Sequence, residues 1–257
     1  MTKIFAVTNQ KGGVGKTTTC VNLAASLVAT KRKVLLVDMD PQGHATLGSG
    51  IDKKDLQLSV YDVLMGDADI ASARITTEPA DYDLLPANVD LAGAEVNLIE
   101  QPRRERRLAE ALEGIKQDYD FILIDCPPSL NLLTINALTA ARGVLVPVQC
   151  EYYALEGLTS LLDTLKRVAG SVNPGLEVTG ILRTMYDPRN SLTRDVSKQL
   201  TDYFDDQVFG TVIPRNVRLA EAPSYGMPVL SYDAKSKGSL AYLALAGEIL
   251  RRSGRAN

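Results

Sequence analysis

The chain has 257 residues, a formal net charge of −3 and 45% hydrophobic residues, a composition ordinary for a globular protein with a sizeable core. The slight excess of acidic residues argues against nucleic-acid binding through overall charge, so such binding would need a local basic patch. Three cysteines without a C-x-x-C pair and a single histidine argue against a disulfide framework, a zinc site and an iron–sulfur cluster. No signal peptide or membrane-spanning apolar run is evident in the sequence.

The first predicted element is a short strand at residues 4–7, followed by a glycine-rich turn and a helix from Lys16. Residues 11–17 of this turn read Lys-Gly-Gly-Val-Gly-Lys-Thr. Glycines let a backbone turn tightly and point N–H groups at a phosphate, and the helix N-terminus adds partial positive charge. In such a loop Lys16 can reach the β- and γ-phosphates and the Thr17 hydroxyl can bind Mg²⁺. The predicted phosphate-binding residues are Lys11, Gly12, Gly13, Val14, Gly15, Lys16, Thr17 and Thr18.

This loop departs from the general pattern G-x-x-x-x-G-K-[ST], because Gln10 stands where the first glycine is expected. It matches instead a deviant form, K-G-G-x-G-K-[ST], with an additional lysine at Lys11. A glycine-rich turn can also be a plain connection, but here strand, loop, Lys-Thr pair and helix occur in the required order. Lys11 itself is either a solvated loop lysine or a functional group at the outer end of the loop.

Strands and helices alternate along the rest of the chain. Continuous apolar runs predict buried parallel strands, and apolar residues at helical spacing predict the helices between them. Strands are predicted at residues 33–38, 82–86, 120–125, 143–148, 178–184 and 208–213, and helices at 16–29, 60–65, 100–118, 130–141, 155–168, 191–204 and 236–252. The pattern predicts an α/β fold with a single domain at residues 1–257. Its doubly wound, mostly parallel sheet, flanked by helices, would bind a nucleotide at the carboxyl ends of its strands.

Acidic residues stand at the ends of two of these strands. Asp125 ends an apolar strand well after the phosphate loop, an arrangement that brings a carboxylate near Mg²⁺ directly or through water. Asp38 and Asp40 flank Met39 after the strand at residues 33–38, where acids are also typical of a turn or a helix cap. We expect only one of these two carboxylates to face the phosphates.

Several segments together resemble the ParA/Soj family of chromosome- and plasmid-partitioning ATPases. They are residues 11–17, 38–43 (Asp-Met-Asp-Pro-Gln-Gly), 125–129 (Asp-Cys-Pro-Pro-Ser), 147–157, 184–187 and 214–224. The last segment, Pro-Arg-Asn-Val-Arg-Leu-Ala-Glu-Ala-Pro-Ser, is the most discriminating, because generic P-loop proteins lack it. The resemblance covers nearly the whole chain.

The resemblance implies a Mg²⁺-dependent ATPase with ATP and Mg²⁺ as its cofactors. In the family, the lysine at the position of Lys11 reaches across a dimer interface to the partner's nucleotide. Asp40 would position the attacking water, Asp38 would lie nearer the metal, and adenine would lie against the backbone around Pro214 and Asn216. The implied catalytic residues are Lys11, Lys16 and Asp40, and the implied metal residues are Thr17, Asp38 and Asp125.

The resemblance also implies partners and a location. In the family, ATP joins two subunits into a homodimer that binds double-stranded DNA without sequence preference, and a ParB-type centromere-binding protein stimulates hydrolysis and release. A cytoplasmic, nucleoid-associated protein without membrane binding is therefore expected. Basic and acidic side chains nearly balance at residues 183–218, so a DNA-binding face has to form by folding and dimerisation. The candidate DNA-binding residues are Arg189 and Arg218, with Lys198, Arg251 and Arg252 as weaker candidates.

Other families share the deviant loop. A MinD-like membrane-associated positioning ATPase requires a C-terminal amphipathic helix rich in lysine and large apolar residues. Here no apolar residue larger than alanine follows Leu250, and we expect Gly254 to break a helix. A tyrosine autokinase requires a tyrosine cluster at the tail, whereas the last tyrosine is Tyr242. The first strand starts near the N-terminus, so we expect no helix-turn-helix extension.

Overall fold

The computed structural model describes residues 2–255, which build an eight-stranded sheet with helices on both faces. The strands are β1 (Lys3–Val7), β2 (Val34–Asp38), β3 (Ile75–Thr76), β4 (Asp83–Leu85), β5 (Phe121–Asp125), β6 (Gly143–Gln149), β7 (Glu177–Tyr186) and β8 (Val208–Pro214). Their spatial order is β3-β4-β2-β5-β1-β6-β7-β8, and all neighbours are parallel except the short edge strand β3, which is antiparallel to β4. The predicted fold class, a mostly parallel α/β sheet, is confirmed.

The helices connect the strands and pack on both faces of the sheet. They are α1 (Lys16–Ala29), α2 (His44–Gly48), α3 (Val60–Met65), α4 (Ile70–Ala73), α5 (Leu91–Asn97), α6 (Arg107–Glu113), α7 (Leu132–Ala140), α8 (Ala154–Ser171), α9 (Ser191–Phe204), α10 (Val217–Glu221), α11 (Val229–Tyr232) and α12 (Lys237–Arg255). Short 3₁₀ turns occur at Leu98–Glu100, Lys116–Asp118, Asp205–Gln207 and Ala222–Tyr225.

The sheet separates two hydrophobic cores, because successive side chains of a strand point to opposite faces. In β1, Ala6 packs into the core beneath helices α3 and α5–α9, whereas Phe5 and Val7 pack into the core beneath α1 and α12. The strands β2 and β5 are fully buried, and their last residues, Asp38 and Asp125, are register partners. The fold thus brings two acidic residues together at the carboxyl edge of the sheet.

Residues 100–118 do not form one helix, so this prediction is wrong in its extent. The regular helix is only α6, with Leu108 and Leu112 buried and Ile115 partly exposed. Proline at position 102 disfavours a helical conformation at Gln101. Arg103 has φ 52°, in the left-handed region, which interrupts a right-handed helix before α6 begins.

The expectation that Gly254 breaks the last helix is also wrong, because α12 continues to Arg255. Glycine lowers helix stability by only about 1 kcal/mol relative to alanine, which a helix packed against the sheet tolerates. Tyr242, Leu245 and Ile249 of α12 are buried in the second core. The end of the predicted tail, residues 256–257, lies outside the described residues. Across residues 2–255, every helix falls short of the combined length and apolar character that a membrane span requires.

Candidate nucleotide-binding site

The turn between β1 and α1 has a backbone that depends on glycine. Gly13 and Gly15 have φ angles of 73° and 89°, which side-chain-bearing residues rarely adopt. Gly15 immediately precedes α1, and no side chain caps this helix. The first N–H groups of α1 are therefore available to an anion. Gly12 lacks a left-handed φ, and an added Cβ there would meet no neighbouring atom, so local geometry does not require glycine at that position.

The two lysines of the loop occupy different positions. Lys16 is only 7% exposed, and its ammonium group donates to the carbonyl of Lys11 at 3.2 Å. Burial lowers the pKa of Lys16, and the nearby carboxylates of Asp125 and Asp40 oppose that shift. The Lys11 side chain lies instead at the outer end of the loop, where it forms an ion pair with Glu151. Only Lys16 is therefore inside the loop of its own subunit.

The carboxylates of Asp38 and Asp125 are both completely buried. Burial raises the pKa of both groups, and the charge of Asp38 adds to the shift at Asp125. Asp38 accepts hydrogen bonds from the N–H and hydroxyl of Thr46 at 2.8 and 2.7 Å, and from the N–H of Asp40 at 3.2 Å. Asp125 accepts a long hydrogen bond from the Cys20 thiol at Oδ1, whereas its buried Oδ2 accepts none from the described residues 2–255.

An unpaired buried carboxylate oxygen is energetically costly, and binding a divalent cation would remove that cost. The nearby Thr17 hydroxyl acts to lower the pKa of Asp125, against the effect of burial, so both side chains lie at one place. Nowhere in residues 2–255 do three His, Cys, Asp or Glu side chains form a group suited to a metal ion. Mg²⁺ at nucleotide sites takes one or two carboxylates plus phosphate oxygens and water. Thr17 and Asp125 fit that ion, whereas both oxygens of Asp38 are already engaged.

Asp40 lies in the turn that follows β2. Its Oδ1 accepts from the N–H of Gln42 at 2.9 Å, and its carbonyl accepts from the N–H of Gly43 at 2.8 Å. Gly43 has φ 59°, and a Cβ there would lie 2.8 Å from the carbonyl oxygen of Ala87, so the turn requires glycine. The charge of Asp40 opposes the lowering of the Lys16 pKa by burial, so the two groups lie near each other. The carboxylate of Asp40 thus lies in the vicinity of Lys16, whereas that of Asp38 is bound by Thr46 of α2.

The predicted adenine-binding residues lie at the same edge of the sheet as the phosphate loop. Pro214 ends β8, and Asn216 precedes α10 and caps it by accepting from the N–H of Leu219 at 3.2 Å. The following chain is fixed to the first helix, because the Asn22 side chain accepts from the N–H of Val229 at 2.6 Å. The Asn216 side-chain oxygen already has a partner, so contacts with adenine would depend on other groups of this segment.

The candidate DNA-binding residues do not form one patch. Arg189 and Arg218 follow the carboxyl ends of β7 and β8, at the edge that holds the phosphate loop. Arg252 donates to the carbonyl groups of Asp206 and Val208, at the beginning of β8, so Arg251 and Arg252 lie at the opposite edge. Lys198 lies in α9, between these groups along the chain. The candidate DNA-binding residues therefore lie at opposite edges of the sheet.

Most of these basic side chains also have an acidic partner. The ion pairs are Arg189–Asp187 at 2.8 Å, Arg218–Glu221 at 2.8 Å, Arg218–Asp233 at 3.4 Å, Arg252–Glu248 at 2.9 Å, and Lys198–Asp202. Their positive charge is therefore partly neutralised in a single copy of the chain. A DNA phosphate would have to compete with carboxylates at these positions.

Sequence reasoning missed residues that shape the site from a distance. Asn9 accepts from the N–H of Lys11 at 3.0 Å and donates to the carbonyl of Pro147 at 2.7 Å, which fixes the start of the loop. Thr46 holds Asp38, and Glu151 holds Lys11. Asn9 and Thr46 lie outside the segments that carry the family resemblance, and segment 147–157 contains Glu151 without indicating its pairing with the distant Lys11.

A glycine loop that opens a helix after the first strand, at the carboxyl edge of a parallel sheet, is the arrangement of a P-loop nucleoside triphosphatase. A family model described as an AAA domain matches residues 2–178 of the chain. Relatives with partitioning names cover almost all of it. The chromosome partitioning protein ParA of Caulobacter vibrioides is 53% identical over 97% of this chain and 94% of its own length. The sporulation initiation inhibitor protein Soj of Bacillus subtilis is 55% identical over 97% and 98%, respectively.

Solved structures share the fold of this chain over almost its whole length. The crystal structure of cobyrinic acid a,c-diamide synthase from Mycobacterium smegmatis with bound ADP and magnesium is 42% identical with a TM-score of 0.88 and covers 100% of this chain and 97% of that one. The cell division ATPase MinD of Pyrococcus furiosus is 30% identical with a TM-score of 0.81 and covers 98% and 99%. On the identity to ParA and Soj proteins, the chain belongs to the ParA/Soj family of ATP-binding partitioning ATPases.

Proposed function

We propose that the protein is a Mg²⁺-dependent ATPase of chromosome or plasmid segregation, working as a single domain over residues 1–257. ATP joins two copies face to face, and the homodimer binds double-stranded DNA without sequence preference. A ParB-type centromere-binding partner stimulates hydrolysis to ADP and phosphate, which releases the dimer from DNA. The protein acts in the cytoplasm, on the nucleoid. The partitioning names of its relatives support this role, and the ADP and magnesium of the M. smegmatis structure support the cofactors.

The residues of the site suit phosphoryl transfer, in which positioning and charge stabilisation lower most of the barrier. The N–H groups of the loop and the ammonium of Lys16 bind the phosphate oxygens. Asp40, which lies near Lys16, orients the attacking water. Thr17 and Asp125 would hold Mg²⁺, which neutralises phosphate charge when bound. In this scheme Asp38 supports the turn through Thr46 and lies beside the metal site.

The position of Lys11 is the observation that supports the proposed dimer, because this side chain projects out of its own loop at the sheet edge proposed to bind the nucleotide. Its side chain is 52% exposed, and within residues 2–255 its one ion-pair partner is Glu151. Large exposed hydrophobic side chains follow the carboxyl ends of strands at the same edge, namely Val89, Leu130, Tyr152, Tyr153 and Val217. Exposed apolar side chains gathered at one edge are typical of an interaction surface. A second copy bound face to face would cover them and receive Lys11 at its nucleotide.

The test measures oligomeric state and DNA binding in the same samples. Light scattering and fluorescence anisotropy with a double-stranded DNA of arbitrary sequence are compared without nucleotide, with ADP and with a non-hydrolysable ATP analogue. We expect dimers and tight DNA binding only with the analogue. Lys16→Ala, which loses the phosphate-binding ammonium, is expected to bind no nucleotide and to remain a monomer. A wild-type protein that stays monomeric in saturating analogue would contradict the proposal.

A MinD-like positioning ATPase acting at a membrane is the alternative, supported by the likeness to the P. furiosus protein. Its identity of 30% is well below the 53% and 55% of the ParA and Soj relatives. In addition, the large apolar side chains of α12 that lie in the second core are already covered by the sheet. Co-sedimentation with anionic vesicles in ATP separates the two functions, since only the MinD-like role predicts binding.

A further inference from the structure

Thr184, near the end of β7, makes a direct contact with the phosphate loop. Its side chain is 2% exposed, and its hydroxyl donates to the carbonyl of Val14 at 2.8 Å, across 170 residues of sequence. We propose that Thr184 is a positioning residue for nucleotide binding, which orients the Val14–Gly15 peptide and so aims the Gly15 N–H into the phosphate cradle. This inference rests on the proposed function, because it assumes that the loop binds ATP.

The geometry of the peptide bond explains how a hydroxyl on β7 acts on a donor that it does not touch. A trans peptide is planar, so the C=O of Val14 and the N–H of Gly15 point in opposite directions. Thr184 holds that C=O toward β7. The Gly15 N–H therefore points away from β7. The hydrogen bond from Thr184 to the Val14 carbonyl thus also fixes the direction of the Gly15 N–H.

This peptide has particular need of an anchor. It is followed by Gly15, which has a positive φ, and glycine gives the backbone on that side the freedom to rotate the peptide. Thr184 supplies a rigid support, because β7 is an interior strand paired with β6 and β8. Val14 itself is 1% exposed, so its carbonyl has little access to water as an alternative donor. Without the hydroxyl, a buried acceptor is unsatisfied and other peptide orientations become competitive.

The expected effect is on binding rather than on chemistry. If only a fraction of the loop has the competent orientation, the apparent dissociation constant rises by the inverse of that fraction. Loss of one buried hydrogen bond predicts a weakening of roughly three- to tenfold for Thr184→Val, which keeps the shape of the side chain. Thr184→Ser keeps the hydroxyl and should bind within about twofold of wild type.

The experiment compares these two variants in the full-length protein with Mg²⁺. Calorimetry gives the affinity for ADP and for a non-hydrolysable ATP analogue, and steady-state kinetics gives KM and kcat separately. NMR of ¹⁵N-labelled protein without nucleotide reports the Gly15 amide. For Thr184→Val we expect a shifted Gly15 resonance, weaker binding of both nucleotides, and a KM that rises more than kcat falls. Thr184→Ser should restore all three readouts.

Two results would overturn the inference. One is wild-type affinity in Thr184→Val, even if its melting temperature falls, since Thr184 would then stabilise the fold only. The other is an equal loss in Thr184→Ser, since the hydroxyl would then not be responsible. Lys16→Ala is measured in parallel. If it also binds nucleotide normally, the proposed ATPase site itself is wrong. If it loses binding while Thr184→Val does not, only the role of Thr184 is rejected.

Discussion

The ammonium of Lys11 lies 2.6 Å from Oε2 of Glu151, at the outer end of the phosphate loop. The two side chains are 52% and 46% exposed, and an ion pair of this kind contributes only about 0–1 kcal/mol. The ion pair with Glu151 therefore holds the Lys11 side chain away from its own loop, but too weakly to immobilise it. In the proposed dimer Lys11 binds the phosphates of the other copy, so the pair with Glu151 competes with dimerisation.

Removing Glu151 should consequently favour the dimer. For Glu151→Gln we expect the protein concentration at half-dimerisation, with a non-hydrolysable ATP analogue, to fall by roughly two- to fivefold. Lys11→Ala should bind the analogue but remain a monomer. Lys33→Ala removes an exposed lysine at the opposite edge of the sheet and serves as the control. Sedimentation velocity over a concentration series measures dimerisation of the three variants and of the wild-type protein. Weaker dimerisation of Glu151→Gln would contradict the competition and would instead make Glu151 part of the interface.

Asp40→Ala tests the assignment of the attacking water. The side chain of Asp40 accepts a hydrogen bond from the N–H of Gln42, an exposed residue that water can reach, so its loss should leave the fold and the ATP affinity nearly unchanged. We expect the ATPase rate to fall by about a hundredfold or more, with DNA binding in ATP retained. Phosphate release at saturating ATP gives the rate, and hydrolysis at the wild-type rate would remove Asp40 from its role.

Asp38→Ala should lower the stability of the fold, unlike Asp40→Ala, although the two residues are only two positions apart. Its buried carboxylate accepts three hydrogen bonds, two of them from Thr46. We expect a loss of unfolding free energy of about 2–4 kcal/mol, because buried donors are left without a partner. Urea unfolding without nucleotide measures this loss in both variants. Equal stabilities of the two variants would show that Asp38 has no structural role in the turn.

Where local physics decides the structure, the sequence is sufficient. Of the strand predicted at residues 120–125, Phe121–Asp125 is buried on both faces as predicted, because only a central parallel strand needs an unbroken hydrophobic sequence. The helix predicted at residues 191–204 has the same ends in α9. Asn190 caps its N-terminus, and Asp205 ends it with φ 43°. Both elements carry their start and stop signals within a few residues.

The remaining features depend on contacts between distant residues. Glu151 is 140 residues from Lys11, and no periodicity or motif encodes that pairing. The separation of the DNA-binding candidates has the same origin, because the distance between Arg251 and Arg218 depends on which sheet edge each one reaches. The short helix α2 was not predicted, because five residues are too few to show a period, yet its Thr46 holds Asp38.

The separation of the basic residues leads to a prediction about DNA binding. Arg218→Ala should weaken binding in ATP by roughly three- to tenfold at low salt and reduce the slope of log K against log salt by about one per lost phosphate contact. Glu221→Gln should have the opposite effect on affinity, because it frees Arg218 from its closest acidic partner. Arg251→Ala is the control at the opposite edge. Titration by anisotropy at several salt concentrations gives the slopes.

An Arg218→Ala variant with unchanged affinity and slope would remove Arg218 from the DNA-binding face. A large effect of Arg251→Ala with none from Arg218→Ala would place that face at the amino ends of the strands. Both variants remove one exposed arginine, so a general change of net charge should affect them equally. The comparison therefore separates a local contact from a global electrostatic effect.

The edge strand β8 is protected by a side chain of α12. The backbone N–H groups of Gly210 and Thr211 each donate to the carboxylate of Glu248 at 2.9 Å. The guanidinium of Arg252 pairs with the same carboxylate and lies 4.4 Å from the centre of the Phe209 ring. Unpaired N–H groups at a sheet edge are sites for pairing with another chain, and Glu248 satisfies two of them. This carboxylate should therefore contribute to stability.

Glu248→Gln should lower the free energy of unfolding by about 1–3 kcal/mol at neutral pH, because charge-assisted hydrogen bonds to backbone donors are lost. Partial burial acts to raise the pKa of Glu248, but the hydrogen bonds that it accepts together hold the pKa below its usual value. A carboxyl whose pKa is lowered by folding stabilises the protein above its unfolded pKa, about 4.3, and loses that effect as the pH falls through the folded value. The difference from wild type should therefore be full at pH 7 and shrink below about pH 4. Urea unfolding between pH 3 and pH 7 measures this difference in unfolding free energy, with a substitution of the exposed Glu156, Glu156→Gln, as the control. A difference that does not change with pH would mean that the substitution disturbs packing rather than removing a charge.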